Sequence, residues 1–298
     1  MNFDKLAIPF AFLAVLMIWT TTPLGMQWSS EGAPMTSVFY RMIIGAVFCV
    51  GLLLLTQGKI PTSRADLYIY LVGGISIYLG ATLFYSSAQL IPSGWVAVIF
   101  GLSPLITGVF SALVEPEAKL TPARITGLAL GLSGLALVFS AGLNVEEASI
   151  LGLGYSALAV TVSSATSVYT RQLVKEHTIT GLQITSGSLV VSLPLFAITA
   201  FLTAPGFDAS FSRTAIYSIV YLGLFGSGVG FTMYYFLLKR MSASKLSLIT
   251  LVTPITALSL GALVNNEPVV ARVYYGAVLV CIGLVLYEFK PRLGLRRL

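Results

Sequence analysis

The sequence predicts an all-α polytopic membrane protein. Ten transmembrane helices are expected, arranged as two inverted five-helix repeats with both the N- and C-termini cytoplasmic. Three observations predict this. Only 9% of the 298 residues are charged and 56% are hydrophobic, whereas a soluble domain carries about a quarter charged residues. Apolar runs follow one another, each near the roughly 20 residues that a helix needs to cross a hydrocarbon core. The second half also repeats the first, with the charge bias at its ends reversed.

The expected spans are 7–26, 36–56, 67–89, 92–114, 122–142, 149–170, 179–203, 214–238, 242–264 and 270–288. The runs are continuous rather than alternating, which argues against a β-barrel. The first run holds Trp19 and Pro23 and has no small-x-small cleavage site, so it reads as a retained span and not a signal peptide. The third and fourth runs are parted by Pro92-Ser93-Gly94. Short links leave no room for a separate soluble domain.

Lys and Arg set the orientation. With the N-terminus in the cytoplasm, 14 of the 17 basic residues fall on the cytoplasmic side. Only Arg41, Arg213 and Arg272 remain outside. The net charge of +6 therefore reports orientation, and no nucleic-acid partner is expected. Cys49 and Cys281 lie inside apolar runs without metal-ligand spacing, so no metal and no cofactor are expected. His177 sits in a charged loop and reads as a solvated residue. No HExxH occurs, no histidine lies in a span beside a serine, and Glu146-Glu147 is too bare for lipid-phosphate chemistry. An enzyme is therefore not expected. Charged rings and TVGYG-type loops, the filters of channels, are absent too.

At an offset of 150, Pro104 falls on Pro254, Ser103 on Thr253 and Glu117 on Glu267. Gly73, Gly80, Thr82 and Tyr85 meet Gly223, Gly230, Thr232 and Tyr235. A one-residue gap then places Gly127 and Gly134 on Gly276 and Gly283. The repeats are expected over 1–145 and 146–298. Five spans per repeat is an odd number, so the second copy must enter from the opposite face. The charges agree: AQLIPSG after the third span has no basic residue, and its counterpart KRMSASK has three. Halves related by an axis in the membrane plane are the architecture of many secondary transporters.

Three motifs resemble the drug/metabolite transporter superfamily in its ten-helix EamA branch. They are WTTTPLGMQW (19–28), Arg41 within PMTSVFYRMIIG (34–45), and a Glu after the fourth and ninth spans followed by a glycine-spaced helix. In the first copy either Glu115 or Glu117 could take that place. The resemblance implies secondary transport of small metabolites, often amino-acid export, across the bacterial inner membrane. Expected partners are the small-molecule substrate and the lipid bilayer, with monomer or homodimer left open.

Candidate cavity residues are polar or aromatic. Tyr78, Thr82, Tyr85 and Gln89 share one helical face. Ser163 and Thr166 line a face of the sixth span with Tyr169 beside them, and Trp95 and Ser103 lie eight apart on the fourth. Trp19, Tyr235 and Thr253 complete the substrate-binding set. The plainer readings are helix packing for the hydroxyls and the interfacial belt for the aromatics. Arg41 lies near the outer end of its span, where it could snorkel to the interface. With no buried carboxylate foreseen, uniport or exchange is favoured over proton coupling. With no cation foreseen facing a cavity, neutral or zwitterionic substrates rank above nucleotide sugars and other anionic metabolites.

Pro104 and Pro254 are the expected hinges. Each interrupts a span, and a proline removes one backbone hydrogen bond and crowds residue i−4. Paired breaks in oppositely inserted halves point to a transporter's site. Replacing either proline by Ala is expected to stiffen one half and bias access to one side. Cysteine labelling of the cavity from both sides tests it; equal labelling in mutant and parent rejects it.

Overall fold

The computed structural model describes residues 3–31, 33–57, 59–114, 121–142, 147–175, 177–203, 210–240, 243–267 and 270–288. Every one of the apolar runs is helical, and no strand occurs among the described residues. The first half holds α1 (Phe3–Ser29), α2 (Pro34–Gln57), α3 (Arg64–Ala88), α4 (Ser93–Phe100), α5 (Ser103–Val114) and α6 (Pro122–Gly142). The second holds α7 (Glu147–Lys175), α8 (Gly181–Leu202), α9 (Arg213–Tyr221), a π-helical stretch (Leu222–Gly230), α10 (Phe231–Arg240), α11 (Ala243–Asn265) and α12 (Ala271–Glu288). The stretch from α9 to α10 is one unbroken rod. Among the described residues, seven helical segments are long and apolar enough to cross a membrane, and shorter apolar stretches occur in α6, α11 and α12.

The helices start where side chains can satisfy free backbone N–H groups. Ser63 and Asp66 form a reciprocal capping box on α3, and Thr180 and Gln183 form another on α8. Along their length they are apolar all round. Leu55, Phe201, Leu202, Tyr217 and Leu263 are largely exposed, as a lipid-facing surface requires.

Without a hydrophobic force between helices in lipid, close backbone approach holds the bundle together. The clearest case is α6 against α12. A Cβ on Gly127 would lie 2.5 Å from the Gly283 carbonyl oxygen, and one on Gly134 would lie 2.6 Å from that of Gly276. The helices therefore cross antiparallel with their backbones touching. Gly127 and Gly134 are the repeat counterparts of Gly276 and Gly283, so exchanging the halves maps this contact onto itself. The other contacts follow the same rule. Helix α3 packs on α7 and α8, and its counterpart, the α9–α10 rod, packs on α1 and α2. Helices α2 and α4 pack on their own counterparts, α8 and α11. The GxxxG runs Gly127–Gly131 and Gly226–Gly230 pack within the chain: Gly131 meets Leu105, Gly226 meets Arg41 and Gly230 meets Ile18.

The two proline sites differ. The fourth span breaks at Gly101-Leu102, where the Leu102 N–H turns back to the Ile99 carbonyl at 3.0 Å. Pro104 then sits in the first turn of α5, where its missing N–H costs nothing. Pro254 instead lies inside α11, which continues past it. Its ring packs on the break, with Cγ 2.6 Å from a Cβ placed on Gly101. Pro254 thus reaches the break from the other half, but only the first half's helix is interrupted.

The α6–α12 seam yields a prediction. Gly127→Ala and Gly283→Ala should each lower the thermal midpoint in detergent, by an equivalent of about 1–3 kcal/mol, because backbone atoms cannot step aside. Gly51→Ala and Gly154→Ala, where a Cβ meets nothing within 4 Å, should leave it unchanged.

Candidate substrate site

Arg41 lies in the interior. It is only 3% exposed, so the expected snorkelling to the interface does not occur. Its Nε donates to Ser227 Oγ at 3.0 Å. Its guanidinium carbon stands 5.8 Å from the centre of the Tyr85 ring. Nη1 is buried without a hydrogen-bond partner. Two glycines cause this burial. A Cβ on Gly223 would lie 3.0 Å from the Arg41 carbonyl oxygen, and one on Gly45 would lie 2.9 Å from Ser227 Cβ. Lacking those atoms, α2 and the π-helical stretch close over the guanidinium. The wider π turn is carried by the glycine-rich LGLFGSGVG. Tyr85 is fully buried and its hydroxyl accepts from Ser29 Oγ at 3.2 Å.

A chain of aromatic rings crosses the bundle at the helix break. Phe84 meets Phe100 edge-on at 5.6 Å, and Phe100 meets Trp19 edge-on at the same distance. Trp19 meets Tyr234 at 5.1 Å. These rings come from α3, α4, α1 and α10. Unpartnered polar atoms lie on α3, α4 and the adjoining α5. Thr82 Oγ1, Trp95 Nε1 and Ser103 Oγ are buried without hydrogen bonds. Oγ1 of Thr232, the repeat counterpart of Thr82, is likewise buried without a hydrogen bond.

Other expected site residues serve packing. The Tyr78 hydroxyl bonds Thr199 Oγ1 at 2.6 Å, joining α3 to α8. Thr166 bonds Ser76 at 2.5 Å, joining α7 to α3. Ser163 stands against Gly80. Thr253 Oγ1 donates to its own helix at Ile249. Tyr169 is 44% exposed, and its hydroxyl bonds Tyr68 on the outer surface at 2.8 Å, so it lines no interior. The Tyr235 side chain, like Glu115 and Glu117, lies outside the described residues. Two shallow apolar clefts, of about 300 and 370 Å³, lie between α2 and the α9–π rod.

Glu267 has a role that sequence reasoning left as a general helix-end contact. Its carboxylate caps α4 across the halves. Oε1 accepts from Ser93 Oγ at 2.7 Å and from Asn265 Nδ2 at 3.0 Å, and Oε2 accepts from the Gly94 N–H at 3.2 Å. Asn265 in turn accepts from Trp28 Nε1 at 2.9 Å and donates to Gln27 at 3.1 Å. Asn266 makes the turn at φ 51°, a conformation that Asn tolerates. The ends of α1, α4 and α11 are thereby tied together at the end of the bundle that also holds Arg41.

A lipid-embedded bundle with an aromatic and polar interior shared by two repeats defines a membrane transporter. The chain belongs to the EamA-like transporter family, whose profile matches residues 5–140 and again 150–289. It is 24% identical to the uncharacterized transporter YoaV of Bacillus subtilis, over 95% of this chain and 97% of that one. It is 24% identical to the uncharacterized inner membrane transporter YedA of Escherichia coli, over 98% and 96%. With the protein PecM of Dickeya dadantii it shares 25% identity over 94% and 91%. A solved crystal structure 18% identical superposes with a TM-score of 0.69 over 94% of this chain and 96% of the other, which shows a common fold.

The Glu267 cap is testable. Glu267→Ala should cost about 1–3 kcal/mol, since it leaves donors on Ser93 and Gly94 unpaired. Glu267→Gln, which keeps an acceptor, should cost less. Thermal unfolding in detergent gives the order; equal midpoints for both variants and the parent reject it.

Proposed function

We propose that the protein is a secondary transporter that exports small neutral or zwitterionic metabolites, amino acids foremost, by alternating access in the bacterial inner membrane. One observation carries the reading: an aromatic chain built from both repeats crosses helices α1, α3, α4 and α10, and α3 to α5 carry buried hydroxyl and indole groups without partners. Such groups suit the polar end of a small amphipathic molecule, and the rings suit its flat apolar part. The expectation of ten spans, inverted halves and cytoplasmic termini is supported by the exchange of packing partners between repeats and by the placement of Lys and Arg. Among the described residues no carboxylate lies deep in the bundle, which favours uniport or exchange. The interruption at Gly101-Leu102, with Pro254 packed on it, is the natural flexing point.

Purified protein in liposomes, offered radiolabelled metabolites with and without a pH gradient, tests the reading. Uptake should saturate and show counterflow for amino acids. A linear, non-saturating flux would instead mark a pore. Trp95→Phe should change transport at least threefold while stability moves by less than about 1.5 kcal/mol, because Phe fills most of the indole's place and the N–H it removes has no partner. Trp95→Ala is a poor probe, since Trp95 is 3% exposed and the cavity would cost about 3–5 kcal/mol.

A further inference from the structure

We propose that Arg41 is the residue that reads a carboxylate on the transported molecule, and that the substrate must therefore carry an acid group. This rests on the substrate site argued above. An arginine is always charged and presents five N–H donors in a planar fork. Here one donor, on Nε, meets a neutral hydroxyl and Nη1 meets nothing. No carboxylate among the described residues is in ion-pair contact with it. The acids at this end of the bundle are otherwise engaged: Glu31 accepts from Ser212 Oγ at the surface, and Glu267 caps α4. A buried, uncompensated charge is costly, and a well-packed apolar residue in its place is often neutral or stabilising. Such a charge in a membrane interior marks a functional site.

The surroundings indicate which anion. The Tyr85 ring lies beside the guanidinium and offers a flat wall. Ser37, one helical turn from Arg41 on the same face of α2, is fully buried with an unpartnered Oγ. Fork and hydroxyl together match a single carboxylate group, which an arginine binds through two parallel hydrogen bonds. A phosphate dianion or a nucleotide sugar calls for further cations, and Arg41 is the one buried cation among the described residues. The ranking of neutral substrates above anionic ones, which assumed an interior without a cation, is thus amended. Zwitterionic amino acids and simple organic acids fit; amines without an acid do not.

Three probes sharing one ring separate the chemistry: phenylalanine, 3-phenylpropionate and phenethylamine. Each is assayed by thermal shift on purified protein and by counterflow in liposomes, with the parent, Arg41→Met, Arg41→Lys and Ser227→Ala. Both acids should protect the parent and the amine should bind at least tenfold more weakly. Arg41→Met should weaken the acids about thirty-fold or more, the scale for removing one partner of a buried charge pair, and leave the amine within twofold. Its ligand-free melting temperature should equal or exceed that of the parent, which a structural strut would not allow. Arg41→Lys should retain part of the preference. Equal binding of acids and amine by the parent, or undiminished acid binding by Arg41→Met, overturns the proposal. If Arg41→Met does not fold, the parent and Arg41→Lys decide: a weakened acid preference in the lysine variant upholds it, and an unchanged preference overturns it. Arg41-dependent protection by acids without any transport leaves the carboxylate site standing and removes the transport reading. Saturable transport of amine and acids alike does the reverse.

Discussion

No water is available inside a bilayer to satisfy a polar atom that the protein leaves bare. Most of this chain obeys that constraint without difficulty. Backbone groups bond within helices, and hydroxyls such as Thr56, Thr126, Ser133 and Thr161 turn back to the carbonyl four residues earlier. Others pair between helices, as Thr20 does with Thr256 and Ser87 with Ser156, each such bond contributing about 0.6 kcal/mol. Thr82, Trp95 and Ser103 do neither, and Arg41 leaves Nη1 bare although its Nε pairs with Ser227. A polar group buried alone is expensive. These residues lie on α2 to α5, and Ser186 and Ser188 on α8 and Tyr70 on α3 leave bare hydroxyls as well.

Glycine controls how near that interior the helices come. At the α6–α12 seam the absent Cβ atoms let two backbones touch, and at Gly45 and Gly223 they let α2 meet the π-helical stretch. The first contact joins the repeats. The second buries Arg41 and aims Ser227 at it. Close approach thus fixes the fold and sets the electrostatics of the site by the same means, because a guanidinium that cannot reach the interface keeps its full charge in a poor solvent.

The helices were legible in the sequence because length and charge suffice to define a span: 122–142 and α6 coincide, and the remaining limits differ by a few residues. The pairing of Gly127 and Gly134 with Gly276 and Gly283 as repeat counterparts was legible as well. The burial of Arg41 was not. Depth in a span suggests snorkelling, and only the neighbouring helix decides whether the side chain has a way out. Periodicity grouped Tyr169 with Ser163 and Thr166, but a face is defined by spacing and its direction by packing. The Trp95 and Tyr85 positions could be read as polar-aromatic; that Trp95 lacks a partner and Tyr85 has one in Ser29 depends on contacts far apart in sequence.

The repeats also show why a sequence symmetry need not appear as a structural one. The fourth span is broken at Gly101-Leu102, and its counterpart α11 runs through Pro254. The eighth span carries the π-helical stretch, and its counterpart in α3 is regular α-helix. Each half is irregular where the other is not. Two halves with related sequences can reach related shapes, so each irregularity shows a conformation open to the opposite half as well. Alternating access through an inverted repeat requires such an exchange: the state facing one side is the state facing the other with the halves' shapes swapped. Were the proposed alternating access to run by such an exchange, the opposite state would have α11 broken before Pro254, α4 and α5 continuous, and α3 widened around Gly73 to Gly80. The widening would shift the register of Thr82 and Tyr85, and with them the wall beside Arg41, so the proposed carboxylate site and the proposed change of access would be coupled through α3.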